Sequence, residues 1–195
     1  MKVIFLDFWG VMDGPLEWSA AGRHRFDPRC GECVQGLCER TGAKVVITSD
    51  AVQWFPKEMG GYRTHAQLLA KAVNDLAESG VDATHIIGCT EQGPESVSLW
   101  DRPRQIRKWL VEHKNVVAWV VFDDMRLLLE EGDITEFKAN ILETWKTQEG
   151  GGTPQDWADR VSDPDPEMAA RFVHINGNHA LTDNDVARAE AILSA

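Results

Sequence analysis

No stretch of the chain approaches the roughly 18 consecutive apolar residues that a membrane-spanning helix needs. The apolar start, Met1–Phe8, is broken by Lys2 and Asp7 and followed by glycine, so it reads as a strand and turn. A secretory leader would need a longer apolar core and a small-residue cleavage site. Neither membrane insertion nor export is expected, and a cytoplasmic location is. Positive charge is also in deficit: 20 Lys and Arg stand against 31 Asp and Glu, a formal net charge of −11. Broad, sequence-independent nucleic-acid binding relies on a surplus of basic side chains to displace counterions, so it is not expected here. Any contact with nucleic acid would have to use a local basic strip. The two candidates are Arg102, Arg104, Arg107 and Lys108, and Arg23, His24 and Arg25; both read mainly as solvated surface, Arg102 excepted. Cysteine is scarce too. The four present (Cys30, Cys33, Cys38 and Cys89) suit free thiols in a reducing compartment. Cys30 and Cys33 form a CxxC, but no second CxxC or CxxH completes a four-ligand set. Asp27–Pro28 reads as an N-cap with proline at the first helical position. That helix would place Cys30, Cys33, Val34 and Leu37 on one face, so core packing is the favoured reading.

What remains fits one α/β domain of 195 residues with a sizeable core. Val3–Leu6 is a short, wholly apolar run ending at Asp7; Gly10, Gly14 and Pro15 then mark a turn and loop. Thr41–Gly42 stops the Asp27-capped helix, and Lys44–Ile47 is a second buried strand, ending at Thr48 and Ser49. Ala66, Leu69, Ala70, Val73, Leu76 and Ala77 predict an amphipathic helix closed by Gly80. His85–Ile87 reads as a third strand. Asp101 can cap a helix whose inner face holds Ile106, Trp109 and Leu110. Val116–Phe122 is the most apolar stretch and runs into Asp123–Asp124. Beyond it the pattern loosens: Leu127–Leu129 and Ile134–Trp145 can be helical. Gly150–Gly152, Pro154, Pro164 and Pro166 read as mobile loop. Phe172–Ile175 is a last strand. Thr182 with Asp185 resembles a capping box for a closing helix whose apolar face is Val186, Ala189 and Ile192.

Strands apolar on both faces, alternating with amphipathic helices, predict a parallel sheet of about five strands covered by helices on both sides. In such sheets the working groups collect at the carboxyl ends of the strands. Three strands here run into polar termini: Asp7, Thr48–Ser49 and Asp123–Asp124. One such terminus means little, because acids often follow strands. Three at one edge of one sheet make a site.

The order of these elements resembles the haloacid dehalogenase (HAD) superfamily. Val3-Ile4-Phe5-Leu6-Asp7-Phe8-Trp9-Gly10-Val11 looks like its first motif, a strand followed by Asp-x-Asp-Gly-[VT]. Val45-Val46-Ile47-Thr48-Ser49 looks like the second, Arg102 sits where the basic third belongs, and Val120-Val121-Phe122-Asp123-Asp124 looks like the acidic fourth. More narrowly, Arg102-x-x-x-Ile106-x-x-Trp109-Leu110, the Asp-Asp strand and Leu181-Thr182 before the last helix are similar to the HAD domain of the "Swiss army knife" RNA-repair group. The resemblance covers about residues 1–125 and 171–195. Residues 126–170 look like an insertion, and the whole of 1–195 reads as one HAD-like Rossmannoid domain, capless or minimally capped, since Met12–Phe26 is too short for a separate cap.

The resemblance implies a chemistry. Asp7 would attack phosphorus and form an aspartyl-phosphate. Asp7, Asp123 and Asp124, with the backbone carbonyl of Trp9, would hold Mg²⁺ through hard oxygen ligands. Thr48 or Ser49 would donate a hydrogen bond to phosphoryl oxygens, and Arg102 would neutralise developing charge. Trp9 and Gly10 would border the substrate. The departure is Trp9, because HAD phosphatases carry there a second Asp that serves as general acid and base. Indole cannot move that proton, and such catalysis is worth roughly 10²–10⁴-fold. Asp13 and Asp50 are near enough in sequence to stand in.

Plainer readings stand beside these. Thr48 and Ser49 can cap a turn, Asp124 can cap the segment after it, and Arg104 competes with Arg102. Three functions stay open: a Mg²⁺-dependent phosphohydrolase or phosphotransferase, a weakened HAD domain that binds a phosphorylated ligand or protein partner, and a metal-free hydrolase of the dehalogenase type. The paired acids favour the first two, and Trp9 the last two. An open site would suit a large phosphorylated substrate, such as a nucleic-acid end or a phosphoprotein, unless the 126–170 insertion or a second subunit covers it.

Overall fold

The computed structural model of the chain describes residues 1–13, 26–48, 65–90, 102–125, 127, 129, 131–144, 164–177 and 179–195. Ser49, Asp50, the Arg23–Arg25 cluster, Asp101 and all of 145–163 lie outside the described residues, as does most of the Met12–Phe26 segment.

Five strands form one parallel sheet: β1 (Lys2–Leu6), β2 (Lys44–Ile47), β3 (Ile86–Cys89), β4 (Ala118–Asp123) and β5 (Phe172–His174), in the order β3-β2-β1-β4-β5. The helices are α1 (Pro28–Thr41), α2 (His65–Glu78), α3 (Arg102–Glu112), α4 (Glu131–Thr144), α5 (Pro166–Ala170) and α6 (Asp183–Ser194). Winding runs outward from β1 to β2 and β3, then reverses to β4 and β5, so the switch point of the sheet lies between β1 and β4.

Alternation along the strands sorts the core into two layers. Ile4, Leu6, Val45, Ile47, Val120, Phe122 and Val173 pack with Val34 and Leu37 of α1, Leu76 of α2, and Val186 and Leu193 of α6. Val3, Phe5, Val46, Trp119 and Val121 face the other way, onto Ile106 and Trp109 of α3 and Met168 of α5. The rings of Phe5 and Trp109 meet edge to face, with centroids 5.4 Å apart. Helices on both faces and a parallel sheet of five strands match the expected architecture.

Caps explain several boundaries. Asp27 accepts from Arg29 N at 2.9 Å ahead of Pro28, and Gly42 closes α1 with φ +69°. Thr182 and Asp185 form a complete capping box at α6. Other expectations are corrected. The third strand begins at Ile86, because Asp82 accepts from Thr84 N at 2.8 Å and winds Ala83–His85 into a 3₁₀ turn. In α2 the inward residues are Leu69, Ala72 and Leu76, whereas Ala66, Ala70 and Ala77 are exposed. Leu127 and Leu129 are buried but not helical. Pro166 is no loop breaker; it opens α5 behind the N-cap Asp165, the same positional preference that Pro28 follows.

The cysteines are free thiols. Burial pushes Cys30 up to about 11 and Cys38 to about 12, which keeps both protonated and unreactive.

Candidate functional site

The register of the sheet builds the site. Leu6 pairs with Ile47 on one side and Phe122 on the other, so the next residues, Thr48, Asp7 and Asp123, fall in one row across three strands. Backbone bonds extend the ladder to that level: Asp7 N donates to Phe122 O at 3.0 Å, and Thr48 N donates to Leu6 O at 2.9 Å. Cys89 pairs with Ile47 and His174 with Asp123, which adds Thr90 and His174 to the ends of the row. Because side chains alternate, Asp7 and Asp123 continue the Val3–Phe5 and Trp119–Val121 series toward α3.

The first residue of α3 meets them there. Arg102, buried like both acids, donates from Nη1 to Asp7 Oδ2 at 3.0 Å and also to Asp123 Oδ2. Arg104, its rival in the sequence, is exposed, and Arg107 pairs with Asp165 and Glu167 on the surface. Asp124 completes a group of three carboxylates, each offering an oxygen within 4.8 Å of the others. One guanidinium against three acids leaves negative charge in excess. The strain shows in the acidities: burial, and then the Asp7 charge, push both Asp123 and Asp124 above the usual carboxylate range. Asp7 Oδ1 is buried and has no hydrogen-bond partner among the described residues. A cluster of hard oxygens with surplus charge and an unsatisfied buried lone pair fits a divalent cation.

Asp123 also accepts from Met125 N at 2.9 Å and so caps the turn after β4. Asp124 is held from two sides. Gly10 has φ +67°, and a Cβ added there would stand 2.2 Å from Asp124 Oδ2; at Gly177 the distance would be 2.9 Å. The turn Phe8–Met12 that carries Gly10 is fixed by Met12 N to Phe8 O at 2.9 Å and by Leu181 N to Val11 O at 2.9 Å.

Trp9 is half-buried, forms an isolated bridge with Asp13, and is not one of the clustered acids. Asp13 accepts from Gly10 N at 2.7 Å. Burial lifts it to about 6 against the effect of that bond, with smaller contributions from Asp7 and Asp124. Thr48 is fully buried in the row, beside Asp7. His174 and Gly177 escaped the sequence reading, as did Thr90; their signal lies only in the register. A cavity of about 220 Å³ between Leu127, Leu129, Phe172 and Arg188 shares His174 with the site but none of its carboxylates.

A parallel sheet wound from β1 in both directions, with acids ending β1 and β4 and an arginine between them, is the arrangement of a HAD-type hydrolase domain. The family model for the HAD domain in Swiss Army Knife RNA repair proteins matches residues 3–186, and the chain belongs to this family and so to the HAD superfamily. That superfamily generally uses a divalent metal, and a cluster of three aspartates is present here. No curated protein matches the chain, and no solved structure does. Among the described residues, no helix is long and apolar enough to cross a membrane.

Proposed function

We propose that the chain is a Mg²⁺-dependent phosphohydrolase or phosphotransferase that works through an aspartyl-phosphate on Asp7. The observation that carries this reading is the three-aspartate cluster with its buried, unpartnered Asp7 oxygen, bridged by Arg102. Asp7, Asp123 and Asp124 would hold the metal, with the Trp9 carbonyl as a further oxygen. Mg²⁺ would supply charge to screen the phosphate from the attacking carboxylate and to polarise its P–O bonds.

The protein's own groups do the rest. Arg102 holds Asp7 through Oδ2 and leaves Oδ1 uncommitted among the described residues. An Asp7 oxygen bonds to phosphorus as the ester bond breaks, and the departing oxygen keeps the electron pair and takes up a proton. Water then attacks phosphorus, releases phosphate and restores Asp7. Thr48 would donate its hydroxyl to a phosphoryl oxygen; Ser49 is the alternative donor. Trp9 cannot protonate the leaving oxygen. Of the two neighbouring acids that could, Asp13 and Asp50, Asp13 sits beside Gly10 at the rim of the cluster.

A large substrate such as a phosphorylated RNA end is the favoured class, in keeping with the family's RNA-repair description. We take 1–195 as one cytoplasmic domain in which 126–170 is an insertion. With a net charge of −11, nucleic acid would be met locally, through a basic patch. The test is phosphate release from end-phosphorylated RNA, a phosphopeptide and p-nitrophenyl phosphate, each with Mg²⁺ or EDTA. Metal-dependent release that Asp7→Asn abolishes supports the reading.

Trp9 favours a second reading, a weakened domain that binds a phosphorylated ligand without turning it over. Saturable binding of the RNA end with no release in Mg²⁺ would select it. Release unchanged by EDTA would instead favour the metal-free, dehalogenase-type hydrolase.

A further inference from the structure

The last ladder bond between β4 and β5 runs from Ile175 N to Asp123 O at 2.8 Å. The next carbonyl, Asp124 O, lies beyond the strands and receives a side chain instead: His174 Nε2 is 2.9 Å away. A carbonyl oxygen can only accept, so Nε2 carries the hydrogen and the imidazole donates. His174 reaches this position because it pairs with Asp123 in register and belongs to the same polar row. Three residues on, Gly177 approaches the other end of Asp124. A methyl group there would come within 2.9 Å of Oδ2 and 3.5 Å of Cβ. Gly10 closes the opposite side of the slot.

We infer that His174 and Gly177 are positioning residues for Asp124: the imidazole pins its backbone carbonyl, and the missing side chain at 177 leaves room for its carboxylate beside Asp7 and Asp123. The inference rests on the metal reading of that cluster. Asp124 needs such support more than its neighbours do. Asp7 and Asp123 are gripped by Arg102 and by the strand ladder, whereas Asp124 follows the end of β4 and is only partly buried. β5 would thereby contribute to the site without supplying a ligand. Outer contacts of this kind typically govern about 10–100-fold in metal affinity, while an exposed hydrogen bond contributes little to the fold.

The test is calorimetric titration of Mg²⁺ into the full chain, with thermal unfolding in EDTA as the control for structure. His174→Ala should weaken Mg²⁺ binding by about tenfold or more with almost no change in metal-free melting. His174→Gln, which keeps an N–H donor near the Nε2 position, should recover part of the loss. Gly177→Ala should weaken binding as well, by displacing the carboxylate. Wild-type affinity in both His174→Ala and Gly177→Ala would overturn the inference. So would a loss of affinity accompanied by a matching fall in metal-free melting, which marks a merely structural role. Should Gly177→Ala not fold, the His174 pair decides alone. A wild-type chain that binds no Mg²⁺ would overturn the metal reading itself and the inference with it, an outcome distinct from unaffected variants.

Discussion

Asp7 Oδ2 and Arg102 Nη1 lie 3.0 Å apart with both side chains about 3 % exposed, so the first strand's terminal acid and the first residue of α3 form a buried ion pair. The same guanidinium nitrogen serves Asp123. Removing one partner of a buried pair strands the other's charge and costs about 3–5 kcal/mol. Arg102→Met should therefore lower the unfolding free energy in EDTA by about that much. Mg²⁺ should restore part of it, since a cation among the acids relieves the same repulsion. Urea unfolding with and without metal measures both, and an unchanged midpoint would show that Arg102 is not the charge balancing these acids.

The acidity of Asp123 gives a pH dependence. Burial and the Asp7 charge raise it from the ordinary 3.8 to about 7 in the metal-free protein. The folded state then holds the proton more tightly than the unfolded chain does. The contribution to stability is fully present below about pH 4 and is lost as pH rises through about 7. In EDTA, wild-type melting should fall across this window, and Asp123→Asn, which has no proton to lose, should flatten the slope. Parallel slopes for the two proteins would contradict the assignment.

Gly10→Ala introduces a side chain at φ +67°, where an L-residue costs roughly 1–2 kcal/mol, and its Cβ would overlap Asp124 Oδ2. Asp124 must then rotate out of the cluster. The expected result is a moderate drop in melting temperature joined to a disproportionate loss of Mg²⁺ affinity. Equal affinity in the variant would mean that Asp124 takes no part in holding the metal.

Much of this site was legible in the sequence, for a physical reason. Apolar runs that end abruptly in acid, as at Asp7 and Asp123, announce both a buried strand and its functional end. Which polar residues stand side by side is a matter of register, and no local pattern reveals it. His174 therefore read only as part of a last strand and Gly177 drew no reading, although one stands level with Asp123 and the other against Asp124. Which of Arg102 and Arg104 meets the acids likewise depends on where α3 starts, and it is Arg102 that does. In α2 the alanines misled, because Ala66, Ala70 and Ala77 are as content in water as Ala72 is in the core. Pro166 read as loop because its cap, Asp165, lay in an acidic stretch rich in proline.

Trp9 yields a discriminating substitution. If only a proton donor is missing, Trp9→Asp should increase turnover of phosphate esters with poor leaving groups. It should do much less for p-nitrophenyl phosphate, because a general acid helps in proportion to the charge on the departing oxygen. A weakened binding domain would show the same gain from a near-zero baseline. Lower rates on every ester would mean that Trp9 takes part in the working site, and the lost-acid account would be dropped.

The most direct test of the central claim is to trap the phosphorylated enzyme. The chain is mixed with a phosphate ester in Mg²⁺, quenched in acid during turnover, digested, and the peptides are analysed by mass spectrometry. The account predicts phosphate on the peptide containing Asp7, absent in EDTA and absent in Asp7→Asn. Turnover that proceeds with no phosphate on Asp7, or that survives Asp7→Asn, would contradict it.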